Sequence, residues 1–270
     1  MNDRAPEDEA AMEATKAPLL DHLIELRKRL IYSIVAFMLC FLVCFAFARQ
    51  IYAFLTVPLA QALHGGPNDH LIYTAVYETF FTYVKVGMFG GICLGFPVIA
   101  AQLWMFVAPG LYKNERRAFL PFLLATPILF IAGAAFVYYI MLPVALKFFA
   151  SYQSSGNQNG IGIELLPKVS DYLDFVTTLI FAFGLCFQMP VLLSLLGRVG
   201  IISSKQLRSF RRYAIVGIFA LAAVVTPPDA FSQLSLAIPL VALYEISILC
   251  VWLIERNRAQ QAAAAANPGT

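Results

Sequence analysis

The chain has 270 residues, of which 60% are hydrophobic and 13% charged, with a mean hydropathy of +0.74. A water-soluble domain carries about 25% charged and about 45–50% apolar residues, so this composition cannot clothe a globule against water. Disorder needs few apolar residues and is excluded by the same numbers. An all-α polytopic membrane protein remains.

The chain opens on an acidic segment, Met1–Ala17, with Asp3, Glu7, Asp8, Glu9 and Glu13. It lacks the basic-then-apolar start of a cleavable signal sequence, so the first apolar run is expected to act as its own anchor. Residues 1–18 are read as a disordered end. An amphipathic helix then leads into the membrane. At about 100° per residue, Leu19, Leu20, Leu23, Ile24, Leu26 and Leu30 fill one arc, and Asp21, His22, Glu25, Lys28 and Arg29 fill the other. Arg27 falls inside the apolar arc. Either it snorkels to lipid phosphate, or it holds a structural contact and leaves Glu25 free to bind something.

Uncharged runs follow at Leu30–Ala48, Val86–Tyr112, Ala118–Leu146 and Phe175–Gly197, with 19, 27, 29 and 23 residues. About 20 apolar residues cross a hydrocarbon core of about 30 Å, so each is expected to span. Tyr213–Pro228 has 16 residues, and Ala230–Tyr244 is broken by Glu245 before resuming as Ile246–Ile254. These two are read as short helices on either side of the Pro227-Pro228 turn. In lipid the backbone must satisfy its own hydrogen bonds, which makes the runs helices. The ten-residue alternation of a membrane barrel is missing from the sequence. The expectation is therefore six spans within residues 19–255, followed by a disordered tail over 256–270. Pro97, Pro121, Pro127, Pro143, Pro190 and Pro239 interrupt the runs and should kink them, giving a curved bundle with a concave wall.

Orientation follows from the basic residues. Fifteen of the 19 lie before the first run, in the second-to-third and fourth-to-fifth connections, or in the tail. Arg49, Lys147 and Lys168 lie on the other side, with Lys85 at the rim of the second run. Both termini are expected to be cytoplasmic. The net charge of +3 reflects this asymmetry and does not point to nucleic acid.

Enzymatic signatures are scarce. The chain has no G-x-x-x-x-G-K-[ST] nucleotide loop and no H-E-x-x-H. His22, His64 and His70 lie outside the runs, which disfavours an intramembrane hydrolase. His22 and Glu25 are three residues apart, but a metal needs three or four ligands. All five cysteines fall inside the runs without a C-x-x-C pair and read as packing residues. No cofactor is expected. The polar residues in or near the membrane are Gln188, Asp229, Gln233 and Glu245, and such positions mark function or helix contacts. Glu115 follows the Pro109-Gly110 break, where it either pairs with Arg116 or Arg117 or stays available.

Four motifs occur in order: His22-Leu-Ile-Glu-Leu-Arg27, Phe106-x-x-Pro109-x-Leu111-Tyr112-x-x-Glu115-Arg116, Phe187-Gln188-x-Pro190, and Thr226-Pro227-Pro228-Asp229-x-x-Ser232-Gln233. In these the chain resembles the TatC family, the polytopic subunit of the twin-arginine protein translocase. The resemblance covers about Leu19 to Leu253. It implies a six-helix, glove-shaped receptor for signal peptides with paired arginines, in the bacterial inner membrane. Such a receptor works with the single-span subunits TatA and TatB under the proton-motive force to export folded proteins. It assigns signal-peptide binding to Glu25, Arg27, Phe106, Glu115 and Arg116, and sensitive external positions to Pro58 and Asp229. Thr226 and Gln233 match polar positions where partner helices dock. Relatives often carry Glu where this chain has Gln188, which cannot ionise. A secondary transporter for small molecules is the alternative, but it predicts midplane cations and inverted repeats, and neither is visible.

Overall fold

The computed structural model describes residues 5–63, 71–107, 116–153, 165–225 and 230–266. Among them all regular structure is helical: α1 (Ala5–Ala46), α2 (Ala48–Leu63), α3 (Glu78–Val107), α4 (Arg116–Phe136), α5 (Leu142–Ala150), α6 (Val169–Cys186), α7 (Met189–Val199), α8 (Ser204–Val225) and α9 (Ala230–Ala266). Among the described residues five segments are long and apolar enough to cross a membrane: His22–Ala46, Glu78–Phe106, Pro121–Ala150, Val169–Val199 and Ser232–Gln260. Their outward faces carry bare hydrocarbon, with Leu39 61% and Ile131 64% exposed, as a protein solvated by lipid requires.

Several expectations need correction. The ends read as disordered carry helix instead, since α1 begins at Ala5 and α9 continues to Ala266. Both extensions are rich in Ala, Glu and Gln, whose backbones are readily helical. Glu245 does not break the last run, because α9 passes through it as one helix. The last two helices are therefore not both short. Only α8 lacks a spanning apolar stretch, because Lys205, Arg208, Arg211 and Arg212 occupy its first half. The short helix α2 had no counterpart in the sequence reading. It buries Leu55, Pro58, Leu59 and Ala62 against the rest of the fold.

The third and fourth runs are each divided at a proline. Pro143 lacks an N–H and crowds the carbonyl four residues back. The chain meets it through a π-helical turn, Val137–Met141, closed by Leu142 N–H on the Val137 carbonyl. Pro190 does the same to the fourth run, which breaks at Phe187-Gln188 between α6 and α7. Pro97, Pro121, Pro127 and Pro239 stay inside continuous helices.

Glycine brings α1 onto α3. A Cβ on Gly91 would lie 2.8 Å from the Phe41 Cα, and one on Gly87 would lie 3.1 Å from the Phe45 Cα. Gly95, four residues further on, faces Cys40. Small residues at this spacing let membrane helices pack backbone to backbone. Carboxylates tie the helix ends. Glu78 accepts N–H bonds from Thr74, Ala75 and Ser170 at 2.9, 3.3 and 3.3 Å, linking the start of α3 to the start of α6. Beside it Ile72 and Lys168 form a parallel bridge. Glu255 of α9 accepts both the N–H and the hydroxyl of Ser204, satisfying the open donors at the head of α8.

Candidate functional site

Of the residues assigned to peptide binding, Glu25, Arg27 and Phe106 lie where the spanning part of α1 begins and α3 ends. The glycine contacts hold α1 against α3, so His22 stacks on Phe106 with ring centroids 4.3 Å apart and planes 21° apart. One turn on, Arg29 donates through Nε (3.0 Å) and Nη2 to Oε1 of Glu25. Its Nη1 reaches Oε1 of Gln102 at 3.5 Å. The pair is an i, i+4 ion pair with both side chains partly buried. Glu25 is thus engaged on one oxygen, while its Oε2 has no partner among the described residues. Arg27 is exposed on the other side of α1 beside exposed Leu26 and Leu30. Arg27 and Glu25 therefore face apart. Glu115 lies outside the described residues, as does the side chain of Arg116, which opens α4.

His22, Arg29 and Gln102 are the members that sequence reasoning missed. The Glu25–Arg29 spacing is a readable signal, because residues four apart meet on a helix. The His22–Phe106 stack and the Gln102 contact cross between helices and leave no local pattern.

Pro58 is buried in α2. It cannot donate to the Phe54 carbonyl four residues back. That carbonyl receives the Tyr138 hydroxyl at 2.8 Å instead, and the Leu55 carbonyl receives the Tyr172 hydroxyl, also at 2.8 Å. Thr226 and Asp229 lie outside the described residues. Gln233 donates to the Phe219 carbonyl at 3.2 Å, joining α9 to α8. Glu245 pairs with Arg211 at 2.7 Å, a second tie between the same helices.

Gln188 is buried at the break before α7. Its amide donates to the Thr126 and Gly184 carbonyls at 3.1 and 3.3 Å. Trp104 donates to the Thr126 hydroxyl at 2.9 Å, which in turn donates to the Phe122 carbonyl at 2.8 Å. The result is a polar link from α3 through α4 to the α6–α7 break. Oε1 of Gln188 is buried without a partner among the described residues. An amide suits this place because it donates where two carbonyls point; a carboxylate would set acceptor against acceptor.

No cluster of three or more metal-ligating side chains occurs among the described residues. Nor does a nucleophile sit beside a base in the two polar groups above. What this end of α1 and α3 offers is a partly buried carboxylate with one open oxygen, on the same helix as the His22 ring that stacks on Phe106.

Comparison with known proteins places the chain in a family. The family model described as "Sec-independent protein translocase protein (TatC)" matches residues 21–239. The Sec-independent protein translocase protein TatC of Magnetococcus marinus is 49% identical over 249 residues, covering 92% of this chain and 89% of that one. The protein of the same name in Escherichia coli K12 is 42% identical, covering 86% of each chain. A crystal structure of a twin-arginine translocase receptor TatC superimposes with a TM-score of 0.73 at 40% identity, covering 87% of this chain and 99% of that one. Since the matched region spans most of the sequence and includes the α1–α3 end, the chain belongs to the TatC family of Sec-independent protein translocase proteins.

Proposed function

We propose that this protein is the receptor subunit of a twin-arginine translocase and binds signal peptides carrying paired arginines at the end of α1 and α3. The observation that carries the reading is Glu25, held by Arg29 on one oxygen with the other open. A guanidinium is a permanently charged planar fork of donors, and a carboxylate is its best-matched acceptor. Two ligand arginines call for two acceptors, and Glu115 supplies the second. Phe106, stacked on His22, provides an apolar wall beside Glu25. Arg27 and Arg116 complete the set from the family resemblance, Arg27 as an anchor to lipid phosphate.

In this reading the protein is a multi-pass subunit of the bacterial inner membrane with both termini cytoplasmic, and α8 is a sixth, short span. It works with TatA and TatB, whose helices dock near Thr226 and Gln233, and the proton-motive force drives the export of folded cargo. The bias of basic residues supports the orientation. Family membership favours this reading over a small-molecule transporter. The direct test is a photoreactive residue at Glu115 and another at Gln102. Both should crosslink to a twin-arginine peptide, and crosslinking should fall when the arginines become lysines. Crosslinking insensitive to that change would overturn the reading.

A further inference from the structure

A groove of about 940 Å3 runs between α3, α6 and α7, with Leu221 of α8 at its side. Its walls are apolar, with Phe89 and Ile92 from α3, Phe181 and Leu185 from α6, and Leu192 from α7. The charge on it sits at one end. There Lys85 Nζ lies 2.9 and 2.8 Å from the two Asp174 carboxylate oxygens, tying α3 to α6. Both side chains are about half exposed. Lys85 also borders a second hollow of about 270 Å3, lined by Glu78, Thr82, Lys168 and Ser170. In that hollow Lys168 lies 3.7 Å from Glu78. Lys85 is therefore shared by an apolar groove and a polar hollow with charges of both signs.

The groove follows α6 and α7 from Asp174 to Leu196, and its polar lining, Lys85, Asp174, Thr177 and Thr178, is gathered toward the Asp174 end, so it suits a ligand that is apolar along its length and polar at one end. The charges are selective. Lys85 and Asp174 cancel each other, so a head with negative charge alone gains at the lysines and loses at the carboxylate. A head carrying phosphate and ammonium together gains at both. A primary ammonium also donates three hydrogen bonds, which a quaternary one cannot.

We propose that the groove and its hollow form a binding site for a phospholipid with an aminophosphate head. An acyl chain lies along the groove, the phosphate meets Lys85 and Lys168, and the ammonium meets Asp174. The bound lipid seals the seam between α3 and α6 at the end where both helices begin. This site stands at the far end of α3 from Glu25 and does not depend on the receptor reading.

The test uses the full chain, purified in detergent and stripped of lipid. It is titrated with phosphatidylethanolamine, phosphatidylcholine and phosphatidylglycerol of equal chain length, and bound lipid is read by native mass spectrometry. Phosphatidylethanolamine should bind about tenfold more tightly than phosphatidylglycerol, with phosphatidylcholine between them. Asp174→Asn should erase the preference for the ammonium head, and Lys85→Gln should weaken all three lipids. If either variant unfolds, Ala182→Trp provides the second readout. It fills the groove away from the ion pair and should lower retention of every lipid. Equal binding of the three heads by the wild-type protein would overturn the proposal. So would retention unchanged by Ala182→Trp, or a co-purified single-span chain that no lipid displaces.

Discussion

The Tyr138 hydroxyl donates to the Phe54 carbonyl at 2.8 Å across the α2 interface, and the two rings stack with centroids 4.3 Å apart. That carbonyl is the one Pro58 leaves without an intrahelical donor. A side chain from the π-helical turn before Pro143 therefore repairs a defect made by another proline.

The repair can be measured. Tyr138→Phe should cost about 0.5–1.5 kcal/mol, the net contribution of an ordinary hydrogen bond. In a Pro58→Ala background the helix supplies its own N–H to Phe54, and the same change should cost less than half as much. The check is a double-mutant cycle on thermal unfolding in detergent. Additive effects would show that the tyrosine does not serve the proline.

Two glycines should respond to the same substitution with opposite sign. Gly91→Ala puts a Cβ 2.8 Å from the Phe41 backbone, which only separation of α1 from α3 relieves, and a loss of about 1–3 kcal/mol follows. Gly217, inside α8, has nothing within 4 Å of its added Cβ. Gly217→Ala should gain up to about 1 kcal/mol from helix propensity. Melting temperatures of the two variants, compared with wild type, test both signs at once.

For peptide recognition, the defect of a carboxylate variant should follow the ligand. A hydrogen bond to a charged partner contributes about 1.5–3 kcal/mol, about ten- to a hundredfold in affinity, and less at a well-solvated site. Glu115→Gln should weaken a twin-arginine peptide by up to that factor and hardly change a twin-lysine peptide. Glu25→Gln should act in the same direction. Raising salt should shrink the wild-type preference, because exposed pairs are screened. A coupling energy near zero between Glu115→Gln and Arg→Lys in the peptide would show that Glu115 only pairs with its neighbours in the chain.

Topology is tested in a cysteine-free background, since the five native cysteines lie within helices. Single cysteines replace Lys205 and Gln153, both exposed. An impermeant maleimide added to intact cells should label position 153 and not 205. The reverse pattern would invert the orientation.

Hydropathy was enough to determine that the chain is helical and to place four of the five long spans found among the described residues. Both depend on residues close in the chain, where a run of apolar side chains leaves its own record. The prolines were visible too, but their consequences were not uniform. Pro143 and Pro190 divide their runs while Pro97 and Pro239 do not, and the residue type alone does not separate the two pairs. Only the tertiary structure supplied Tyr138 for Phe54, Thr126 for Gln188 and Asp174 for Lys85. Those partners are 84, 62 and 89 residues apart, and a sequence carries no local mark of which distant donor will meet which acceptor. The same holds for the end of α1 on α3. Glu25 was evident as a carboxylate, but which of its oxygens stays open was decided by Arg29 and by the glycines that let the two helices touch.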